Sequence, residues 1–287
     1  MAGPDMVALL ERQRHAFLRD GPPDLWERKA TLARLRAAVL GHRNEIGVAI
    51  GADFGHRSRH ETDTMEVLGV VQSIDYLVRN LKRFMKPDRR HVALPYRAGR
   101  AYVEYQPKGV IGVMAPWNYP LSLTIIPFAT ALAAGNRAML KPSELTPRTS
   151  EVIRKMLATI FSPDEVAVVL GGPETGASFS SLPFDHLFFT GSTEVGRKVM
   201  KAASDNLVPV TLELGGKSPV IVLRGSVDEH SIGSIVFGKL SNAARPASHP
   251  TMRSSTRTIS IASSACMTMR SRGLIRTDRR ARTTARS

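Results

Sequence analysis

Four short segments of this 287-residue chain carry residue types that could do chemistry together. In APWNYPL, residues 115–121, two prolines stiffen a loop that holds Pro116, Trp117, Asn118 and Tyr119. A carboxamide on a stiff loop can donate a hydrogen bond to an oxygen on which negative charge develops. The same letters also describe two aromatic core anchors around a turn asparagine. In AMLKPSELTP, residues 138–147, Lys141 and Glu144 follow an apolar run. An amine and a carboxylate so placed can hold the two hydroxyls of a ribose, although a solvated loop uses the same residue types.

FFTGSTEVGRKVM, residues 188–200, reads as a strand, a turn at Gly191 and a helix that Ser192 or Thr193 can cap and Gly196 lets pack closely. Free amides at such a helix start suit a phosphate. The spacing is not G-x-G-x-x-G, and an ordinary glycine turn reads the same way. LELGGKSP, residues 212–219, ends a strand with Glu213 before two glycines. A carboxylate there can take a proton from water, or it can pair with Lys217. The histidines show no pairing by spacing and are assigned to surface or packing. With one cysteine, Cys266, and no cluster of ligand spacing, no disulfide framework and no metal are expected.

The elements that must position these residues follow from periodicity. Met6, Leu9, Leu10 and Phe17 share one helical face, as do Leu25, Leu32, Leu35 and Val39, and then Val67, Val70, Val71, Ile74, Leu77, Val78 and Leu81. Three packed helices are predicted. From Arg100 the period changes: RAYVEYQ alternates and GVIGVMAP runs apolar, which predicts a strand pair turned at PKG. Apolar runs at 137–140, 166–170, 186–190, 208–214 and 219–223 then alternate with helical segments, one carrying Val152, Ile153, Met156, Leu157, Ile160 and Phe161. That alternation predicts an α/β fold with a parallel sheet whose ligands bind at the carboxyl ends of the strands.

Composition bounds the rest. At 43% hydrophobic residues the chain can build a sizeable core. No run approaches the ~18 apolar residues of a membrane span, and the start lacks a secretory pattern, so a cytoplasmic location and no membrane partner are expected. The formal charge of +15 is unevenly placed. From Ala244 onward the arginines face a single acid, Asp278, and that tail alone supplies roughly +9. It lacks hydrophobic periodicity and is expected to be disordered. A tail that binds nucleic acid or anionic surfaces on a catalytically dead nucleotide-binding module is the alternative reading, but no aromatic residue interleaves the arginines, so only non-specific attraction of nucleic acid is expected.

Taken together, APWNYP, GNRAMLKPSELTP, FFTGSTEVG and VTLELGGKSP resemble the NAD(P)-dependent aldehyde dehydrogenases in order and spacing, from the first helix to Ala243, and most of all the short class that includes coniferyl aldehyde dehydrogenase. The resemblance implies a Rossmann-like parallel sheet with N-terminal helices, divided as an N-terminal helical segment (1–98), a strand pair belonging to an oligomerisation arm (99–115), an incomplete NAD(P)-binding domain (116–243) and a basic tail (244–287), with the catalytic domain missing. It implies NAD or NADP as cofactor, an aldehyde as substrate, and a family homo-oligomer whose oligomerisation elements are incomplete here. By the same resemblance Asn118 is the oxyanion donor and Glu213 the base for hydrolytic water. Lys141 and Glu144 contact the adenosine ribose, Ser192 beside Gly191 a phosphate, and Pro116 and Trp117 line the cofactor groove. In the family a cysteine thiolate attacks the aldehyde, and that step needs its nucleophile.

Here the chain departs from the family pattern. Where a G-Q-x-C segment is expected after a helix like FGKLSNA, the sequence reads AARPASHP, with Ala247 in the cysteine's slot. Residues 244–252 can be encoded GCC AGA CCT GCA TCG CAC CCG ACT ATG. One G placed in front turns these bases into codons for glycine, glutamine, threonine, cysteine, isoleucine, alanine, proline, aspartate and tyrosine. The cysteine codon falls on the slot of Ala247. A single missing base near codon 243 or 244 is therefore expected, with Cys266 an accident of the shifted frame.

Overall fold

The computed structural model describes residues 5–55, 57–96, 98–216, 219–223 and 225–240 (backbone alone for 96, 239 and 240), and the backbone of 267–269 and 275–277. Its first compact unit runs to Gly215 and opens with helices whose ends are written in the sequence. Asp5 accepts from the amides of Val7 and Ala8 to start α1 (Met6–Asp20), which stops where Gly21 takes φ 71°. Asp24 and Glu27 form a reciprocal capping box at the start of α2 (Leu25–Gly41). Helix α3 (Arg43–Phe54) ends in a left-handed Gly55. Helix α4 (Arg59–Thr62) then runs through one π turn (Asp63–Val67) into α5 (Leu68–Phe84). The three predicted apolar faces lie on α1, α2 and α5. Helix α3 was not expected: Gly47 and Gly51 interrupt its stripe, yet Ile46, Ala49, Ile50 and Phe54 are buried.

Two strand expectations are corrected. Ala101–Val103 (β2) does not pair with the GVIGVMAP strand but lies antiparallel to Asp88–Arg90 (β1), with Arg89 opposite Tyr102. Every residue of β1 and β2 is exposed, whereas Val110–Met114 (β3) is buried throughout, as a central strand of a parallel sheet must be. Residues 219–223 form no strand. Val220, Ile221 and Leu223 are exposed there and no described strand pairs with them, and an apolar run needs such a partner to become one.

The sheet is five-stranded and parallel, in the order β5-β4-β3-β6-β7, with β4 at Arg137–Lys141, β5 at Val166–Val168, β6 at His186–Gly191 and β7 at Val210–Leu214. Helices α6 (Ser122–Ala133), α7 (Pro147–Ala158), α8 (Pro173–Ser180) and α9 (Thr193–Ser204) connect the strands. Gly112 must be glycine-sized, since a Cβ would lie 2.7 Å from the Phe184 ring and 2.8 Å from Leu187. The N-terminal helices are not a separate body. Gln13 donates to the carbonyls of Ala138 and Pro163 at 3.2 and 3.1 Å, and Arg28 to that of Ala133 at 3.3 Å.

The two compact units meet between Gly215 and Gly216, inside LELGGKSP; the expected boundary at residue 243 lies outside the described residues. The second unit contains α10 (Glu229–Leu240) and an antiparallel pair, Met267–Met269 (β8) with Ile275–Thr277 (β9). Most of the expected disordered tail, Ala247 and Cys266 included, lies outside the described residues. Among the described residues no helix is long and apolar enough to cross a membrane.

Candidate functional site

The chain leaves β3, moves outward through β4 and β5, then returns to β6 on the other side of β3. Between the carboxyl ends of β3 and β6 the connections therefore part, which is the place where parallel sheets take their ligands. The β3 exit supplies Pro116, Trp117 and Asn118; β4 supplies Lys141 and Glu144; β6 supplies Gly191 and Ser192; β7 supplies Glu213. All eight sequence-predicted residues stand along one edge of one sheet.

Lys141 is buried to 4% exposure, and its Nζ donates to Glu144 Oε2 and to the Pro142 carbonyl, both at 3.2 Å. An ammonium has three donors, so one remains beside a part-exposed carboxylate, which is the donor and acceptor set a vicinal diol requires. The loop is fastened to its neighbour by the Ala115 amide, which donates to the Lys141 carbonyl at 3.1 Å. At β6, the turn is tight: a Cβ on Gly191 would lie 2.5 Å from the Phe189 ring. Ser192 is the N-cap of α9, its hydroxyl accepting from the Val195 amide at 3.2 Å. Gly196 brings α9 against β7, since a Cβ there would meet Leu214 at 2.7 Å. Glu213 is exposed, in register with Thr190 of β6. Its alternative partner, Lys217, lies outside the described residues.

The Pro116–Pro120 loop rests on residues that the sequence reading passed over. Trp117 lies 6.4 Å from the ring of Phe54, tilted by 46°. The Arg57 side chain is fully buried, pairs with the equally buried Glu66 at 3.1 Å, and donates to the Asn118 carbonyl at 2.9 Å. The second oxygen of Glu66 accepts from the amides of Leu121 and Ser122 at 3.0 and 2.9 Å and from the Ser122 hydroxyl at 3.2 Å. Burial pushes the Glu66 carboxyl up to about 7, against the Ser122 amide, the Arg57 charge and the remaining donors. Asp53 was also missed; it accepts from the amides of Arg148 and Thr149 at the start of α7, at 3.2 and 2.8 Å. One signal was present: Glu66 stands four residues before Val70 and eight before Ile74, a charge inside an apolar stripe.

His186 bonds Thr211 at 2.9 Å and starts β6, at the sheet's opposite end, where burial and Lys108 lower its pKa. A cavity of about 900 Å³ lies between α5 and α6, lined by Tyr76, Phe84, Tyr105, Ile126 and Thr130 among others. None of the sequence-predicted residues borders it. The strand ends carry the polar chemistry, and we take them as the site. Among the described residues no group of three His, Cys, Asp or Glu side chains could hold a metal ion.

The chain as a whole is similar to known proteins. The pattern of the aldehyde dehydrogenase family matches residues 10–249. A probable coniferyl aldehyde dehydrogenase of Caulobacter vibrioides is 48% identical over 244 residues, covering 84% of this chain and 50% of that protein. A coniferyl aldehyde dehydrogenase of a Pseudomonas species is 49% identical over 217 residues, covering 76% and 45%. Among solved structures, a substrate-bound aldehyde dehydrogenase (AldH) of Staphylococcus aureus superposes with a TM-score of 0.82 at 34% identity, covering 89% of this chain and 54% of that one. The NAD+ complex of a Mycobacterium tuberculosis aldehyde dehydrogenase gives 0.74 at 32% identity, covering 82% and 48%. The chain spans about half the length of the curated relatives it matches.

Proposed function

The chain belongs to the aldehyde dehydrogenase family, and from that premise we propose that it derives from an enzyme oxidising an aldehyde to an acid with NAD or NADP and that, as it stands, it binds the dinucleotide without turning substrate over. The observation that supports this reading is the placement of the polar residues at the carboxyl ends of β3, β4, β6 and β7; by the resemblance, Ala247 falls in the nucleophile's slot. The donor and acceptor set at Lys141 and Glu144 fits a dinucleotide's ribose hydroxyls, and Ser192 stands at the head of α9, where its phosphate would lie.

Each residue then has a stated task. Lys141 donates to a ribose hydroxyl and Glu144 accepts from one. Pro116 and Trp117 form a stiff apolar wall against which a planar ring can lie. In the in-frame enzyme the Asn118 carboxamide would donate to the aldehyde oxygen as it gains negative charge, and Glu213 would draw a proton from the water that hydrolyses the acyl group. When bound, the cofactor supplies the two-electron acceptor. Methyl at position 247 offers nothing that can attack a carbonyl, and a single base lost near codon 243 accounts for it. The relatives named for coniferyl aldehyde support an aryl aldehyde as the substrate of the in-frame protein.

Calorimetric titration of this chain with NAD+ tests the binding, and absorbance at the reduced cofactor's band with an added aryl aldehyde tests the inactivity. Saturable binding, weakened about tenfold (1.4 kcal/mol) by Lys141→Ala, is expected, with no aldehyde-dependent signal. Restoring one G at codon 244 of the gene should bring the signal back. Turnover by the chain as it stands, or no binding at all, would sink the reading.

A further inference from the structure

The Arg57–Glu66 pair is the only described ion pair with both side chains at or below 1% exposure, and its bonds go to the middle and the far end of one loop. A buried ion pair roughly breaks even in stability against apolar residues of similar volume, so stability alone gives little reason for it. Its geometry gives another. Arg57 Nη2 holds the carbonyl of Asn118, while its guanidinium lies 4.3 Å from the Phe54 ring centre and 5.2 Å from that of Tyr119. Glu66 holds the amides of Leu121 and Ser122, where the loop enters α6. Glu66 itself sits in the π turn, a rare wide turn that recurs at functional sites. Every restraint just named comes from residues 54–66, outside the parallel sheet.

We propose that Arg57 and Glu66 are positioning residues for Asn118: Arg57 fixes the peptide carbonyl of Asn118, Glu66 fixes both Arg57 and the far end of the loop, and the carboxamide is thereby delivered to the strand ends in one orientation. This rests on the reading of Asn118 as the oxyanion donor. Placement matters at this level because an oxyanion donor acts only when preorganised. Arginine rather than lysine is required, since one planar fork must reach a carboxylate and a carbonyl in two directions.

The test uses the full 287-residue chain labelled with 15N-asparagine, with the Asn118 signals assigned by Asn118→Asp, and compares Arg57→Lys and Glu66→Gln with the unaltered protein. Nuclear relaxation of the Asn118 backbone amide is read beside that of Asn136, a buried asparagine tied to the amides of Lys108 and Gly109. In the unaltered chain both should show order parameters of about 0.85; in either variant Asn118 should fall below about 0.6 while Asn136 stays rigid. Arg57→Lys keeps a positive charge for Glu66, so loss of order at Asn118 in that variant separates positioning from mere charge pairing. If Asn118 remains as rigid as Asn136 in whichever variants stay folded, the proposal is overturned. If Asn118 loosens as expected but the unaltered chain fails to bind NAD+, the positioning stands and the reading of the site falls.

Discussion

Burial holds the Glu66 carboxyl near 7 although a guanidinium and three hydrogen-bond donors favour its ionised form, so desolvation is the larger effect. The sign of the consequence is fixed by linkage. A carboxyl at 4.5 in the unfolded chain and about 7 in the folded one binds more protons when folded between those values. Its contribution to stability is present in full below pH 4.5 and is lost as pH rises through 7, on the order of 3 kcal/mol across that window. The charged neighbours that share the pocket are Arg57 and, 3.7 Å from Arg57 Nε, Glu61. Thermal melts from pH 5 to 8 should therefore show a fall in melting temperature that Glu66→Gln flattens, and an equal fall in that variant would assign the effect to other groups. At Glu144 the expectation is local: substituting it should weaken NAD+ without moving the melt, because its side chain is part-exposed and its bond stays within one loop.

Among the elements, α7 depends on a residue far from it in sequence. Asp53, at the end of α3, accepts from the Arg148 and Thr149 amides and from the Thr149 hydroxyl, supplying a cap that Thr146 does not. Asp53→Ala leaves the buried Thr149 amide and hydroxyl without an acceptor and should cost about 1–3 kcal/mol in chemical denaturation. Because α7 begins just after the Lys141–Glu144 loop, the same variant should weaken NAD+ binding; an unchanged affinity would show the loop to be held independently. Here lies the divide between what was legible and what was not. Apolar period disclosed α1, α2, α5 and the five strands of the sheet, and turn residues put the candidate residues at the strand ends. Arg57, Asp53 and Glu66 were hidden because their partners lie 61, 96 and 55 residues away, and no local pattern announces a bond of that span. The β1–β2 pair was misassigned because RAYVEYQ alternates whichever strand it meets, and only burial distinguishes the choices.

For the molecule as a whole, exposed apolar surface is the dominant fact. Tyr76, Phe84 and Tyr105 line an open apolar cavity, and Ile221, Leu223 and Phe237 are exposed to between 66% and 73%. Surface of this kind is ordinarily covered by further chain or by a partner, and the chain spans about half of its relatives' length. We expect strong binding of the dye ANS and concentration-dependent association in light scattering; a monomer that ignores the dye and melts cooperatively at high concentration would contradict this. The strand order has a further consequence in time. Strand β3 lies in the middle of the sheet but is made first, and its partner on one side, β6, does not begin until His186. On the ribosome a half-built sheet must wait with one backbone edge unpaired while α7, β5 and α8 are synthesised. During that interval the open side of β3 offers unpaired amides and carbonyls to any other extended chain.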